Sequence, residues 1–166
     1  MSSRSLVVVC GPPGVGKSTV AEAIADRTGA GRLRTDVVRR DVAPEPDYTD
    51  EERRRVYDEL FDRASGALAD DRRLVLDWTF QYRETRDRAA DVATESGADF
   101  ELVRVTCDEE AVRERLAERT DDPSDAVFEN YRVIRRAFDP VGRDHVTVDN
   151  SGSLDRTRAA VRDLFP

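Results

Sequence analysis

Short apolar runs recur along this chain, separated by longer stretches of helical period. The runs are LVVVC (6–10), RLVLDW (73–78), FELVRVTC (100–107) and HVTVD (145–149), with a weaker fifth, GRLRTD, at 31–36. The first is apolar at every position, as in a strand covered on both faces. Helical periods fall near 17–28, 50–69, 83–96, 108–119, 124–138 and 153–164. Strand and helix alternate, which predicts an α/β sandwich: a parallel sheet between two helical layers, with right-handed crossovers. The 166 residues suit a single domain, 1–166, with a core of its own; no repeat or low-complexity linker divides them.

Two connections exceed what one crossover helix needs. The first runs from Asp36 to Arg73 and carries prolines at 44 and 46. The second runs from Asp108 to Asp144 and holds two helical periods, broken at RTDDPSDA. In that break Asp122 can cap, Pro123 suits a first helical turn, and Asp125 favours the positive helix end. Excursions of this length are either covering helices or functional lids.

Composition changes the picture in one respect. The chain has 27 basic and 35 acidic residues, for a net charge of -8, and 26 of the basic residues are arginine. Aspartate outnumbers glutamate 22 to 13. Adaptation to high salt produces such a composition, and so does a GC-rich genome; both readings stand. No basic cluster is free of interleaved acids, so nucleic acid is not the expected partner. High salt would weaken that exclusion by screening. The two cysteines, Cys10 and Cys107, have no metal-ligand spacing, which suits a reducing cytosol. MSSRS leads directly into an apolar run too short for a signal peptide or membrane span. A soluble, cytoplasmic protein is expected.

The chemistry begins after the first run. GPPGVGKS matches G-x-x-x-x-G-K-[ST] at Gly11, Gly16, Lys17 and Ser18, between a predicted strand and a predicted helix. Glycines at 11, 14 and 16 allow backbone angles closed to other residues. The backbone N–H groups from Gly14 through Val15, Gly16, Lys17, Ser18 and Thr19 can then surround phosphate oxygens at a helix N-terminus. Lys17 can reach the β- and γ-phosphates as a point charge, and the Ser18 hydroxyl can ligate Mg²⁺. Lys17 is the only lysine in the chain. It stands where the planar fork of arginine would fit badly.

The loop alone does not name a reaction. No N-K-x-D or T-K-x-D occurs, so the guanine-reading signature of GTPases is missing. Asp77, which ends LVLD, is followed by Trp78 rather than Glu, so the carboxylate pair of motor ATPases is missing too. Three further segments carry a resemblance. TDVVRR (35–40) contains D-x-x-R at Asp36 and Arg39; VLDWTF (75–80) contains D-x-T; VRERLAERTDDPSDA (112–126) is arginine-rich around a helix break. Together with the phosphate loop these resemble small P-loop kinases of the predicted-kinase, AAA-type ATP-binding group. They are similar to polynucleotide 5′-hydroxyl kinases, chloramphenicol phosphotransferase and zeta-type toxin kinases.

The resemblance implies a P-loop NTPase three-layer sandwich: a five-stranded parallel sheet of order 2-3-1-4-5. It implies an acceptor-side helical excursion at about 37–72 and a helical lid at about 112–138. It implies ATP and Mg²⁺ as cofactors, and Lys17, Asp36, Arg115 and Arg119 as the catalytic set. Asp36, at the end of the second strand, would accept the proton of an acceptor hydroxyl; otherwise it caps the following turn. Arg39, three residues on, would hold the acceptor or be a solvated arginine; Arg40 is expected on the surface. Asp77 would orient Mg²⁺ through water, or else make a strand-end hydrogen bond. Arg115 and Arg119, four apart, would deliver charge to the transferring phosphoryl, or else belong to a helix laced with glutamates. Arg113 is expected to pair with Glu109. Thr79 would assist by its hydroxyl or else form a turn; Trp78 and Phe80 are expected in the core before a substrate wall. One of Gln81, Arg83 and Arg86 is a candidate acceptor contact. Asn150 and Ser151 would pass the adenine through backbone, and His145 is expected to be structural. Cys10 and Cys107 should end neighbouring strands.

The leading expectation is transfer of the ATP γ-phosphoryl to a hydroxyl of a small molecule. The alternatives are a polynucleotide 5′-hydroxyl kinase, favoured by D-x-x-R and opposed by the charge, and a nucleotide-dependent ATPase or switch without acceptor.

Overall fold

The computed structural model describes residues 3–119 and 125–166, with the backbone alone at Arg119 and at 125–127. Five strands form one parallel sheet: β1 (Ser5–Cys10), β2 (Gly31–Arg34), β3 (Arg73–Asp77), β4 (Asp99–Thr106) and β5 (Val146–Asp149). Their order is β2-β3-β1-β4-β5, as the resemblance implied. The helices among the described residues are α1 (Lys17–Thr28), α2 (Thr35–Val42), α3 (Asp50–Ala69), α4 (Arg83–Glu95), α5 (Glu109–Arg119), α6 (Asp125–Ala137) and α7 (Leu154–Leu164). None is long and apolar enough to cross a membrane.

The unbroken apolar run of β1 follows from its place at the centre of the sheet. Leu6, Val8 and Cys10 join the core formed with α2, α3 and α4, while Val7 and Val9 join the opposite core with α1, α5, α6 and α7. The helix after β1 thus lies on one face and the helix after β3 on the other. The crevice this leaves at the carboxyl ends of β1 and β3 is where open α/β sheets bind ligands.

Helix starts are set by local chemistry. Thr49 caps α3, its hydroxyl accepting from the Glu52 N–H at 3.1 Å, while Glu52 accepts from the Tyr48 N–H at 2.6 Å. The Thr49 bond satisfies one amide that the helix leaves open, and the Glu52 bond ties the residue before the cap to the first turn. Ser153 caps α7 in the same way, accepting from Arg156.

The structure departs from the sequence pattern in three places. The second strand ends at Arg34, so Asp36 lies in the first turn of α2 rather than at a strand end. At eight residues, α2 is too short to display a period, and it buries only Thr35 and Val38. Arg113 does not pair with Glu109: it lies over the Phe128 ring at 4.6 Å, and Glu109 instead takes Arg135 at 3.1 Å and Arg132 at 3.8 Å. The helix-to-helix packing of α5 on α6 decides this, because it brings an aromatic face closer than the neighbouring turn. The break at Asp122 and Pro123 lies outside the described residues, as does the side chain of Asp125.

Candidate active site

The phosphate loop joins β1 to α1. Gly14 (φ 88°) and Gly16 (φ 90°) take left-handed backbone, open at little cost only to a residue without a Cβ. Space is short as well: a Cβ on Gly16 would overlap Asn150 Nδ2, and one on Gly14 would lie 2.9 Å from Val112. Val15 between them is buried and pins the loop to the core. The Gly11 N–H donates to the Thr79 carbonyl at 3.1 Å, which ties the loop to the chain leaving β3. Lys17 Nζ donates to the Pro12 carbonyl at 2.9 Å. Ser18 is exposed at the first turn of α1, and Thr19 is half-buried beside it.

Asp77 stands opposite Val9 in the sheet and is buried, and its side chain shares the face of α1. Its Oδ2 accepts from Arg32 at 3.0 Å. The strand-end bond expected for it is thus a cross-strand ion pair with a residue the sequence did not single out. Arg32 and Asp77 lie on neighbouring strands 45 positions apart in sequence, and no local spacing announces the pair.

On the other side of β3, Asp36 receives Arg34 at 2.9 Å, with both side chains half-exposed. Arg39 lies between two aromatic rings, 5.3 Å from Trp78 and 5.6 Å from Tyr48. Trp78 is therefore both partly core and partly wall, whereas Phe80 is fully buried against Tyr57 and Phe61. Phe80 has φ 46°, an uncommon angle for a bulky residue, just after the D-x-T segment. Arg40 is exposed. Among the described residues, four enclosed side-chain polar atoms lack a hydrogen-bond partner: Arg32 Nε, Thr35 Oγ1, Arg39 Nε and Glu52 Oε1. All four belong to β2, α2 and the start of α3, and such orphaned atoms are costly unless a ligand, ion or rearrangement satisfies them.

Of the three candidates after D-W-T-F, Gln81 is half-buried, its amide donating to the Ala137 carbonyl at 3.4 Å, Arg83 is exposed, and Arg86 is buried and committed. Its guanidinium donates to the carbonyls of Phe80, Gln81, Asp139 and Pro140 at 2.8, 3.1, 3.0 and 3.0 Å. Arg86 thus bolts the chain after α6 onto the chain after β3.

A further wall of the phosphate loop is built by β5 and α7. Asn150 is buried; its Nδ2 donates to the Val15 carbonyl at 2.9 Å, and its Oδ1 accepts from Thr157 at 2.5 Å. The side chain, not only the backbone, matters here. Arg115 reaches the same loop, donating to the Asn150 carbonyl at 2.6 Å and to Cys107 Sγ at 3.3 Å. It therefore sits beside the loop that follows β5. The side chain of Arg119 lies outside the described residues. Gly16, Thr19, Arg115, Asn150, Gly152 and Arg158 line a cavity of about 370 Å³ there.

Cys10 ends β1, and Cys107 directly follows β4; both are free. Burial pushes the Cys10 thiol up to about 11. Burial also raises Cys107, against the opposing pull of Arg115. His145 bonds only locally, its ring nitrogen 2.8 Å from the Arg143 carbonyl.

Residues 6–141 match the family model described as an AAA domain, which covers most of the chain. The chain belongs to that AAA domain family. A sequence comparison with curated proteins finds no match. Solved structures of small P-loop kinases share the fold of this AAA-domain protein. A gluconokinase from Sinorhizobium meliloti 1021 aligns with TM-score 0.74 and 22% identity, over 99% of this chain and 95% of that one. A sugar kinase from Janibacter sp. HTCC2649 aligns with TM-score 0.73 and 16% identity, over 96% and 93%. The APS kinase of Mycobacterium tuberculosis, solved with AMPPNP and APS, aligns with TM-score 0.70 and 22% identity, over 99% and 98%.

Proposed function

We propose that this AAA-domain protein is an ATP-dependent phosphotransferase that moves the γ-phosphoryl of ATP to a hydroxyl of a small molecule. The observation that carries this reading is the phosphate loop, whose left-handed glycines and Lys17 stand at the crevice between β1 and β3. The fold shared with small P-loop kinases supports it, including one solved with a nucleotide analogue.

In this reading the triphosphate lies on the backbone N–H groups of Gly14–Thr19, and Lys17 exchanges the Pro12 carbonyl for phosphate oxygens. The acceptor oxygen attacks the γ-phosphorus in line. The bond from that phosphorus to the β,γ-bridging oxygen breaks, and ADP leaves. Asp36 takes the hydroxyl proton, and the Arg34 guanidinium beside it holds the carboxylate in place. Arg39, braced by Trp78 and Tyr48, positions the acceptor. The orphaned polar atoms around it are what a polar ligand on this side would satisfy.

Magnesium fits the residues present. The exposed Ser18 hydroxyl can ligate it, with phosphates and waters completing the shell. Asp77, on the same face, can orient those waters while Arg32 holds its other side. The ion would neutralise charge on the transferring phosphates. Arg115 holds the loop that follows β5, and Arg119 remains the lid arginine proposed to meet the phosphoryl group. Both cysteines are free, which suits a cytoplasmic setting.

Asp36→Asn should abolish transfer while ATP still binds. Labelled ATP with hydroxyl metabolites, nucleosides, antibiotics and 5′-hydroxyl oligonucleotides provides the measurement. Undiminished transfer by the variant removes Asp36 as base. Label on the oligonucleotide alone selects the polynucleotide kinase, and hydrolysis indifferent to every acceptor selects an ATPase or switch.

A further inference from the structure

Arg104 occupies an unusual position. It lies within β4, paired with Cys10 of β1 on one side and Thr147 of β5 on the other. Its neighbours Leu102, Val103 and Val105 are buried, yet Arg104 is exposed. It shares the sheet face of Cys10 and Leu102, the face covered by α2, α3 and α4. A charge on a strand covered from both sides is expensive unless it opens on water or a partner. Among the described residues, no hydrogen bond or ion pair reaches the Arg104 guanidinium.

It opens on a cavity of about 410 Å³, bounded by Gly11, Pro12, Arg104, Tyr131, Arg135 and Asp139. Two of these belong to the phosphate loop, and the Pro12 carbonyl is the one Lys17 now holds. Arg135 is tethered at the exposed rim by Glu109. Arg104 stands opposite Cys10 at the end of β1, Lys17 is held on the Pro12 carbonyl just beyond it, and Arg86 on the Phe80 carbonyl beyond β3. Asp139 is the one carboxylate on the cavity wall. In a chain of net charge -8, an open arginine beside the transfer point is a fork without its anion.

We propose that Arg104 and this cavity bind an anionic group of the phosphate acceptor, a carboxylate or a phosphate, so that the substrate is a hydroxyl compound charged at one end. The proposal rests on the phosphotransfer reading above. The volume suits a small molecule. Three strand spacings, about 14 Å, separate β4 from β2, the strand that leads into Asp36, and the arginine side chain together with a ligand several carbons long spans them.

The test measures direct binding by calorimetry in the presence of AMPPNP, beside steady-state transfer. The probes are hydroxy acids, sugar phosphates and neutral polyols of matched length, with wild type, Arg104→Leu and Arg104→Lys. Wild type should bind an anionic probe, and the carboxylate and phosphate arms tell the two sources apart. Arg104→Leu should weaken that probe about 10- to 100-fold, the range of one charge-assisted contact. Polyol and AMPPNP binding should be unchanged, and Arg104→Lys should recover part of the loss. Equal binding of neutral and anionic probes, or no anionic binding at all, overturns the proposal. So does an Arg104→Leu variant that loses AMPPNP instead of the acceptor. Arg104-dependent anion binding without phosphate transfer sinks the phosphotransfer reading and leaves the anion site. Transfer to a neutral acceptor that ignores Arg104→Leu does the reverse.

Discussion

At the residue scale, the sharpest constraints come from side chains that hold backbone. Asn150 is buried and satisfies Val15 on one side and Thr157 on the other. Asn150→Ala should leave the Val15 carbonyl without its partner and the Thr157 hydroxyl with only the longer Ser153 bond, and cost about 1–3 kcal/mol. Because Val15 lies inside the phosphate loop, the same change should raise KM for ATP more than it lowers kcat; urea denaturation and nucleotide titration read the two effects. Arg86 is the second such residue. Its guanidinium serves four carbonyls on two segments. Arg86→Met should destabilise the fold by about 3 kcal/mol or more, since several buried acceptors lose one charged donor. The urea midpoint checks it. Burial lowers the Arg86 pKa, but from a value so high that the group stays charged throughout the working range.

At the element scale, short connections matter as much as helices. The turn after β5 is fastened by Asp149, whose carboxylate accepts from the Ser151 hydroxyl at 2.6 Å and its N–H at 2.9 Å. Those bonds hold the Asp149 carboxyl below its usual value. The sign follows: the fastening is fully present above the ordinary aspartate range and is lost as pH falls through the lowered value. Amide exchange at Ser151 should therefore stay slow from neutral pH down to about 4 and lose protection below it. In Asp149→Asn this pH step should vanish. The acceptor side shows the opposite economy. There α2 and the start of α3 leave enclosed polar atoms unpaired, so this is where ligand binding has most to gain.

At the scale of the whole molecule, nucleotide binding should be linked to stability. The phosphate loop, the Asn150 turn and the Arg115 bonds all meet around the cavity that Gly16 and Asn150 line. A ligand bound there at 100 times its Kd should add about 2.7 kcal/mol of stability. Thermal melts with and without Mg-ATP measure this, and Gly16→Ala should abolish the shift, because a Cβ there overlaps Asn150.

What could be known from the chain alone was whatever local spacing encodes. An all-apolar run marks a covered strand, glycines at 11, 14 and 16 mark a loop that needs left-handed backbone, and T-x-x-E at 49–52 marks a helix start. These signals act over a few residues, so they survive without a partner in view. The phosphate-loop half of the site was legible for that reason, and so were five strands and six of the helices. The eight residues of α2 were not, because two buried positions make no period. Arg32 against Asp77, Arg86 across the two crossing segments, Arg113 on Phe128 and Arg104 open in the midst of a sheet were equally hidden. Each joins residues brought together by strand register or helix packing. Those are settled only when the two faces of the sheet close, and with them the surroundings of each charge.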